Sequence, residues 1–495
     1  MSIVRKAIGW VLRIAGGAST ADSDALPRGG LARGGAWALF GTLASRAFAL
    51  LTSVIVARLL GKDGFGQLAI VLSTTVMFET FAGLGLGLTA TRYVAQLRRS
   101  DPRRTGGVIA LLRRTAVVAG ALGSVALLLA APHLASRVLA APELTLALRI
   151  SAALLLISTL NAVESGTLAG LDAFPRLAKL NVAAGLVSVP LMLAGVALLG
   201  VEGAAAANAV ALGISWVLYR RAVGRERLAH GIPLADEGAR DELAILWSFS
   251  IPAYFSGLLV APVNWLCSAM LVQEPSGYAE LGAFNATNQW FNALMVLPGA
   301  LGQVFLPALS REFAGGDIAA TRRLLVQMIG GSAAIVAVPA LLGILASPLI
   351  MRMYGVGFAE EWPTLAIALV TAAIIAVQAP VGHVIAASGR MWTGFWMNLG
   401  WSVALLVLTW ALVRQGAMGL ALGRLGAYII HSSWTFWFAY RVLAPPRGGD
   451  GDRSDGVAAA LGLVRYASSL RHGQDSAQPP RRAGPAERAR EDLRT

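Results

Sequence analysis

The sequence predicts an all-α integral membrane protein with twelve transmembrane helices in two six-helix lobes, related by an internal parallel repeat. Composition, the number of apolar runs and a repeated hexapeptide carry this prediction. Of the 495 residues 56% are hydrophobic and only 14% are charged, and the mean hydropathy of +0.64 exceeds that of soluble globular chains. Because a spanning helix needs about 20 mostly apolar residues, a chain of this length can hold about a dozen.

Apolar runs separated by polar residues define the candidate spans. The first six are Gly34–Ala57, Gln67–Ala90, Thr115–Leu134, Thr145–Leu168, Leu177–Leu199 and Val201–Leu218. The second six are Leu243–Leu271, Leu281–Phe305, Leu324–Leu345, Leu365–Ser388, Met391–Leu412 and Met418–Tyr440.

The distribution of Lys and Arg predicts the orientation, because short loops rich in these residues stay in the cytoplasm. Of the 41 basic residues, thirty-three fall at the termini and in alternate connections, while five fall on the opposite side and three within spans. Both termini are therefore expected in the cytoplasm. The net charge of +14 is then mostly a topology signal, and no nucleic-acid partner is expected.

A hexapeptide occurs twice in the chain. GFGQLA, starting at Gly64, opens the second span, and GYAELG, starting at Gly277, opens the eighth span 213 residues later. A second similarity joins the segment ending at Asn181 to the one ending at Asn398, at an offset of 217. Two similarities at nearly one offset favour duplication of a six-helix unit, and an even number of spans makes the copies parallel. Chance similarity between glycine-rich helix ends is the alternative.

The predicted organisation has five parts. Residues 1–33 form a cytoplasmic amphipathic N-terminal segment, 34–223 and 243–442 form the two lobes, 224–242 form a cytoplasmic connector, and 443–495 form a disordered basic tail. The single cysteine, Cys267, excludes an intramolecular disulfide.

Four segments of the sequence, taken in the order in which they occur, resemble those of bacterial polysaccharide flippases. These flippases belong to the multidrug, oligosaccharidyl-lipid and polysaccharide exporter superfamily. The four segments are ARLLGKDGFGQLAIVLS, GLGLGLTATRYVAQ, SFSIPAYFSGLLVAPVNWL and GYAELGAFNATNQW, and the resemblance covers about residues 33–442. The sequence departs from the family pattern in the second span. Gly83 stands where relatives often have an acidic residue, and Glu79 lies one turn earlier.

The resemblance implies a flippase that works by alternating access. Its substrate would be an undecaprenyl-pyrophosphate-linked oligosaccharide, moved from the cytoplasmic to the periplasmic leaflet of the bacterial inner membrane for O-antigen, capsule or exopolysaccharide synthesis. The expected partners are this lipid-linked oligosaccharide, membrane lipids and, as one option, polysaccharide polymerase and chain-length proteins. No cofactor or metal is expected.

Ionisable residues inside spans are costly, so they usually face a cavity or a partner. Arg46 and Glu79 lie near the centres of the first two spans. Either they form a structural ion pair, or Arg46 faces the cavity and binds pyrophosphate through its guanidinium. Arg424 is a second candidate cation for substrate binding. Arg149 lies near a span end, where snorkelling to the interface is the alternative.

The eighth span carries a polar stripe. Asn285, Asn288, Gln289 and Asn292 follow the spacing i, i+3, i+4 and i+7, which places four amides on one helical face. Amides suit sugar hydroxyls, and Trp290 or Trp265 could stack on a sugar ring. The alternative is that the amides join neighbouring helices.

Candidates for ion or proton coupling are Glu79, Glu164 and His383, with His431 as a further titratable group. For each of them a satisfied buried group is the alternative. The membrane potential could also drive export of an anion, at about 2.3 kcal/mol per charge per 100 mV.

The sequence contains no GxxxxGK[ST], no HExxH and no Cys or His cluster with metal-ligand spacing, so an ATP-driven motor within the chain is excluded and an enzyme is not expected. A multidrug and toxin extrusion-type cation antiporter is the main alternative, although Arg46 and Arg424 disfavour a cation site. A membrane enzyme of glycan assembly needs a larger periplasmic loop than the predicted spans leave.

Overall fold

The computed structural model describes residues 28–233, 258–314, 317–388 and 390–443. Every regular element in these ranges is helical, in agreement with the predicted all-α class. The N-terminal amphipathic segment before residue 28, residues 234–242 of the connector, the first part of the seventh span and the tail after residue 443 lie outside the described residues.

The first half contains five helices, two of which are very long. They are α1 (Arg28–Gly83), α2 (Leu86–Leu97), α3 (Pro102–His133), α4 (Thr145–Gly170) and α5 (Phe174–Ala229). A π-helical turn, Leu134–Val138, and a 3₁₀ turn, Pro142–Leu144, connect α3 to α4.

The described part of the second half contains eight helices. They are α6 (Val260–Val272), α7 (Gly277–Leu294), α8 (Val296–Ala314), α9 (Ile318–Leu345), α10 (Ser347–Tyr354), α11 (Trp362–Ala387), α12 (Met391–Leu412) and α13 (Gly416–Val442). The 3₁₀ turns Val356–Glu361 and Val413–Gln415 precede α11 and α13.

Seven stretches of the described chain are long and apolar enough to cross a membrane. Three of them, of 43, 56 and 51 residues, exceed the length of one bilayer crossing. Each of the three contains a backbone break: at Gly61 in α1, at Leu199 and Gly200 in α5, and at the turn between α12 and α13. The chain is therefore a multi-pass membrane protein, and the number of twelve spans stays a prediction.

The start of α3 corrects a predicted boundary. The third span was expected to begin at Thr115, but the helix begins at Pro102, where Asp101 caps it by accepting a hydrogen bond of 2.9 Å from the backbone N–H of Arg104. Asp at the N-cap followed by Pro at the first helical position is a strong helix-start signal. Arg113 and Arg114 therefore lie three turns inside a helix and not in a connection.

Two other boundaries differ from the prediction. The second span ends earlier, because Leu84 and Gly85 have positive φ angles of 45° and 65° and separate α1 from α2. The helix of the sixth span continues to Ala229, into the predicted connector. In the sixth span the apolar run ends before the helix does, because the arginine-rich residues that follow it are still good helix formers.

The two copies of the repeated hexapeptide pack against each other. Helix α1 contacts both α5 of the first half and α7 of the second half. At the crossing of α1 with α7, a Cβ atom at Gly66 would overlap the backbone carbonyl of Tyr278, and one at Gly282 would overlap that of Lys62. Only glycine permits so close an approach of two backbones. The main apolar core extends from this crossing, with Phe65, Leu281 and Tyr354 buried in it.

Candidate functional site

The polar stripe of α7 meets the arginine of α13. Arg424 Nη1 donates a hydrogen bond of 2.8 Å to Asn288 Oδ1. The Cζ atom of Arg424 also lies 3.8 Å from the ring centroid of Phe291, one turn further along α7, in a cation–π contact. The structure thus brings together two candidates that lie 136 residues apart in the sequence.

Arg424 has no acidic partner among the described residues. The ion pairs within the described residues all involve other basic side chains. The Nε atom of Arg424 is buried and makes no hydrogen bond there. A guanidinium in such a position retains its charge. One amide and one aromatic face do not neutralise that charge, so the site favours an anion.

The other three amides of the stripe make no hydrogen bond to a described residue. Asn285, Gln289 and Asn292 are half-buried, and their side chains have no hydrogen-bond partner within the described ranges. Amides that joined helices would be paired with groups on a neighbouring helix. By their spacing the three amides share a helical face with Asn288, and amide donors and acceptors are suited to sugar hydroxyls and phosphate oxygens.

The two tryptophans proposed for stacking are engaged in packing. Trp290 donates from its indole N–H to the Tyr354 hydroxyl at 3.2 Å and packs against the main apolar core. Trp265 is buried and donates to the Thr74 hydroxyl at 2.8 Å. The role of both side chains in this conformation is to join helices, which the sequence did not reveal because their partners lie far along the chain.

Arg46 and Glu79 do not form the ion pair that was one of the two alternatives. Arg46 is exposed and has no ion-pair partner among the described residues. Glu79 is half-buried and its carboxylate bonds with Ser158 of α4. Arg149 is also exposed and unpaired in the described chain. The first alternative is therefore not observed among the described residues, and the role of Arg46 in binding substrate stays a prediction.

Glu164 is fully buried and forms a bidentate ion pair. Arg113 Nε donates to Oε1 at 2.8 Å and Arg113 Nη2 donates to Oε2 at 2.7 Å. This parallel fork geometry is among the strongest of charged contacts. The partner of Glu164 was missed because Arg113 was assigned to a connection. The signal that could have found it is the Asp101–Pro102 helix start, which places Arg113 within the helix.

The two buried histidine candidates have different surroundings. His383 packs against Gly302 of α8. A Cβ atom added at Gly302 would lie 3.0 Å from Nε2 of His383. His431 belongs to a network in which Gln378 bonds to the Nδ1 atom of His431 and accepts a hydrogen bond of 2.7 Å from Ser432. The amide and imidazole groups of this network are thus satisfied, and it joins α11 to α13.

The chemistry available at these sites is that of binding. Within the described part of the chain, no group of three His, Cys, Asp or Glu side chains lies close enough to hold a metal ion. The α7–α13 site (Asn285, Asn288, Gln289, Asn292 and Arg424) combines one cation with four amides. It can bind an anion and neighbouring hydroxyl groups at the same time.

The sequence is similar to known proteins over most of its length. Residues 31–313, more than half of the chain, match the sequence profile of a family described as polysaccharide biosynthesis protein. The EPS I polysaccharide export inner membrane protein EpsE of Ralstonia nicotianae is 23% identical over 389 residues, which cover 77% of this chain and 87% of that protein.

The fold is similar to solved transporter structures. One is the inward-facing conformation of a multidrug resistance MATE family transporter of the MOP superfamily, with a TM-score of 0.72, 15% identity, and coverage of 82% of this chain and 94% of that chain. Another is the outward-facing conformation of such a transporter, with a TM-score of 0.64, 14% identity, and coverage of 84% and 95%. At these identities the likeness concerns the fold alone.

Proposed function

Because the chain belongs to the polysaccharide biosynthesis protein family, we propose that it moves a lipid-linked oligosaccharide from the cytoplasmic to the periplasmic leaflet of a bacterial inner membrane. The family match confirms the resemblance found in the sequence. The substrate class proposed is an undecaprenyl-pyrophosphate-linked sugar unit destined for cell-surface polysaccharide. Transport of polysaccharide precursors fits the polysaccharide export named for the Ralstonia relative.

The observation that carries the proposal is the charge and hydrogen-bonding capacity of the α7–α13 site. Arg424 is a cation without a described carboxylate partner, and it is held in place by Asn288 and Phe291. A pyrophosphate would supply the missing negative charge, since guanidinium and phosphate geometry match. Asn285, Gln289 and Asn292 would bind the sugar hydroxyls next to it. A site for an organic cation would instead need unpaired acidic groups.

The internal repeat belongs to the same proposal, and a third similarity supports it. Gly200 and Gly203 in the first half correspond to Gly416 and Gly419 in the second, at an offset of 216. Gly200 and Gly416 both break a long helix with positive φ angles, of 59° and 67°. That backbone conformation favours glycine. We infer two parallel six-helix halves related by an axis along the membrane normal.

When the two halves are aligned by the repeat, corresponding positions carry different charges. At the same offset Arg424 corresponds to Asn208, and at the offset of the hexapeptides Asn292 corresponds to Glu79. The second half therefore carries a cation where the first has an amide, and an amide where the first has an acid. We propose that this asymmetry directs the pyrophosphate to the second half.

The proposed direction of transport uses the predicted orientation, with both termini in the cytoplasm. We infer that the close α1–α7 crossing keeps the periplasmic end closed in this conformation, which would then face inward. The membrane potential, negative inside, favours outward movement of an anion by about 2.3 kcal/mol per charge per 100 mV.

The test is a gene deletion followed by mass spectrometry of polyprenyl-linked lipids. We expect a sugar-loaded pyrophosphate lipid to accumulate in the deletion strain and wild-type protein to reverse the accumulation. Arg424→Gln should reverse it at least tenfold less well, because the anion loses its cation while Asn288 keeps a hydrogen-bonding partner. Arg352→Gln is the matched control, since Arg352 is exposed and has no ion-pair partner among the described residues.

Membrane abundance of each variant is measured in parallel, so that loss of protein is not mistaken for loss of function. Full complementation by Arg424→Gln would show that the α7–α13 site does not bind the substrate. Absence of lipid accumulation, together with new sensitivity to cationic dyes, would favour the multidrug extrusion alternative, to which the MATE-like fold gives some weight.

A further inference from the structure

A second group of buried charges lies in the first half, where α3, α4 and the end of α5 meet. Two of its members, Arg113 of α3 and Glu164 of α4, are joined by two parallel hydrogen bonds. Glu164 is fully buried, and the side chain of Arg113 is 18% exposed. The carboxylate therefore fixes the direction of Arg113 while part of the guanidinium remains accessible.

Arg227, in the last turn of α5, is the third charged member. It is 8% exposed, and its Nη1 atom is buried without a hydrogen-bond partner among the described residues. Its charge is close enough to that of Arg113 for the two to repel. The backbone holds Arg227 in this place, because its carbonyl accepts a hydrogen bond from Ile232, which packs on Ile109 one turn before Arg113.

The three side chains carry two positive charges and one negative charge. Glu164 already uses both carboxylate oxygens on Arg113. A buried N–H group without an acceptor is destabilising, so Nη1 of Arg227 requires an acceptor beyond the described residues. That acceptor must also tolerate the neighbouring Arg113, which selects for a group with negative charge and several oxygens.

We propose that Arg113 and Arg227 form a binding site for a phosphate-type oxyanion, with Glu164 as the positioning residue for Arg113. Phosphate and pyrophosphate groups offer several oxygens to two guanidinium forks at once. The site is separate from the α7–α13 site, because it lies on α3, α4 and α5. It does not depend on the proposed transport substrate, since a phospholipid headgroup or a soluble phosphate has the same chemistry.

The test measures binding of inorganic pyrophosphate to the full-length protein in phosphatidylcholine nanodiscs, by the shift in thermal unfolding temperature. The measurement is made in an Arg424→Gln background to remove the contribution of the other site. We expect pyrophosphate still to stabilise this protein. Adding Arg227→Gln should weaken the apparent affinity at least tenfold, whereas adding the control Arg352→Gln should leave it unchanged.

Arg227→Lys provides a second variant in case Arg227→Gln folds poorly. Lysine keeps the positive charge but lacks the planar guanidinium with its paired N–H donors. An affinity for pyrophosphate between that of the protein with Arg227 intact and that of Arg227→Gln therefore supports direct contact of Arg227 with the oxyanion. Stabilisation that requires phosphatidylglycerol in the nanodisc, and that Arg227→Gln abolishes, supports the same site with a lipid headgroup as its occupant. Unchanged pyrophosphate affinity and unchanged phosphatidylglycerol dependence in Arg227→Gln would overturn the proposal.

Acidic residues that follow α5 are alternative acceptors within the chain, and the first two of them are Asp236 and Glu237. Asp236 and Glu237 lie outside the described residues. The double variant Asp236→Asn, Glu237→Gln tests this alternative. If it destabilises the protein as much as Arg227→Gln does, and combining it with Arg227→Gln adds no further destabilisation, Arg227 is paired internally and the proposal fails. This outcome leaves the flippase proposal untouched, because that proposal is tested by lipid accumulation and by Arg424.

Discussion

Arginine side chains within the helices of this protein have three kinds of surroundings. Arg113 is paired with a buried carboxylate, Arg424 is bonded to an amide and stacked on an aromatic ring, and Arg46 and Arg149 are exposed and unpaired in the described chain. The same residue type therefore has different consequences when it is removed. The loss of stability depends on which partner group is left buried without a hydrogen bond or counter-charge when the arginine is removed.

The Arg113–Glu164 pair gives a prediction about stability. Glu164→Gln or Arg113→Gln should each destabilise the protein by about 3–5 kcal/mol, because each leaves a buried charge unpaired. The double variant should be destabilised by less than the sum, with a coupling free energy of about 1–3 kcal/mol. Unfolding of the purified protein in a denaturing detergent titration measures all four states of the cycle.

The Arg98–Asp172 pair is the comparison for this cycle. The Asp172 side chain is 50% exposed, so Asp172→Asn should cost no more than about 1 kcal/mol. Additive effects of the Arg113 and Glu164 variants would mean that the two side chains do not act as a pair.

At the scale of helices, the α1–α7 crossing depends on glycine. Gly66→Ala would place a methyl group on the carbonyl of Tyr278, which belongs to the backbone and cannot rotate away. We expect a loss of about 1–3 kcal/mol from overpacking, or separation of the two helices. The unfolding temperature of the purified variant measures the loss.

Gly213→Ala in α5 is the matched control, because nothing lies within 4 Å of its added Cβ. It should be neutral or stabilising by up to about 1 kcal/mol, since alanine favours a helix more than glycine does. Equal effects of the two substitutions would mean that helix propensity, and not close approach, decides the outcome at Gly66.

At the scale of the whole molecule, charged side chains join the two halves beside this crossing. Lys62 Nζ lies 2.7 Å from Glu361 Oε1 and 3.5 Å from Glu280 Oε1, and Glu280 also accepts a hydrogen bond of 2.8 Å from the backbone N–H of Ala417. These contacts favour the conformation in which this end is closed. They must be broken if alternating access opens it.

Lys62→Ala should therefore increase the population in which this end is open. A loss of about 1 kcal/mol from a half-buried ion-pair cluster changes a two-state ratio about fivefold. Electron-spin distance measurements between labels at Leu198→Cys and Val356→Cys, both exposed, would detect it as a longer distance. The single native cysteine is buried and should label poorly.

Arg352→Ala serves as the control for Lys62→Ala, because Arg352 is an exposed cation without an ion-pair partner among the described residues. It should leave the distance distribution unchanged. An unchanged distribution in Lys62→Ala as well would show that the glycine crossing alone keeps this end closed.

The sequence by itself determined the membrane class, the helical composition, the family and the stripe of amides on α7. These depend on local properties, namely apolar run length, helical periodicity and short ordered motifs. It also identified Arg424 and Glu164 as unusual, because charge inside an apolar run is visible without a structure. It could not assign their partners, and it placed Arg113 in a connection.

Only the tertiary structure decided which of these side chains meet. Arg424 bonds to Asn288 across 136 residues of sequence and Glu164 to Arg113 across 51, while Trp290 turns to Tyr354 and Glu79 to Ser158 instead of Arg46. Helical spacing fixes which residues share a face, but the rotation and crossing of packed helices fix what each face touches. Those quantities depend on the close approach of backbones at positions such as Gly66, and so on the whole fold.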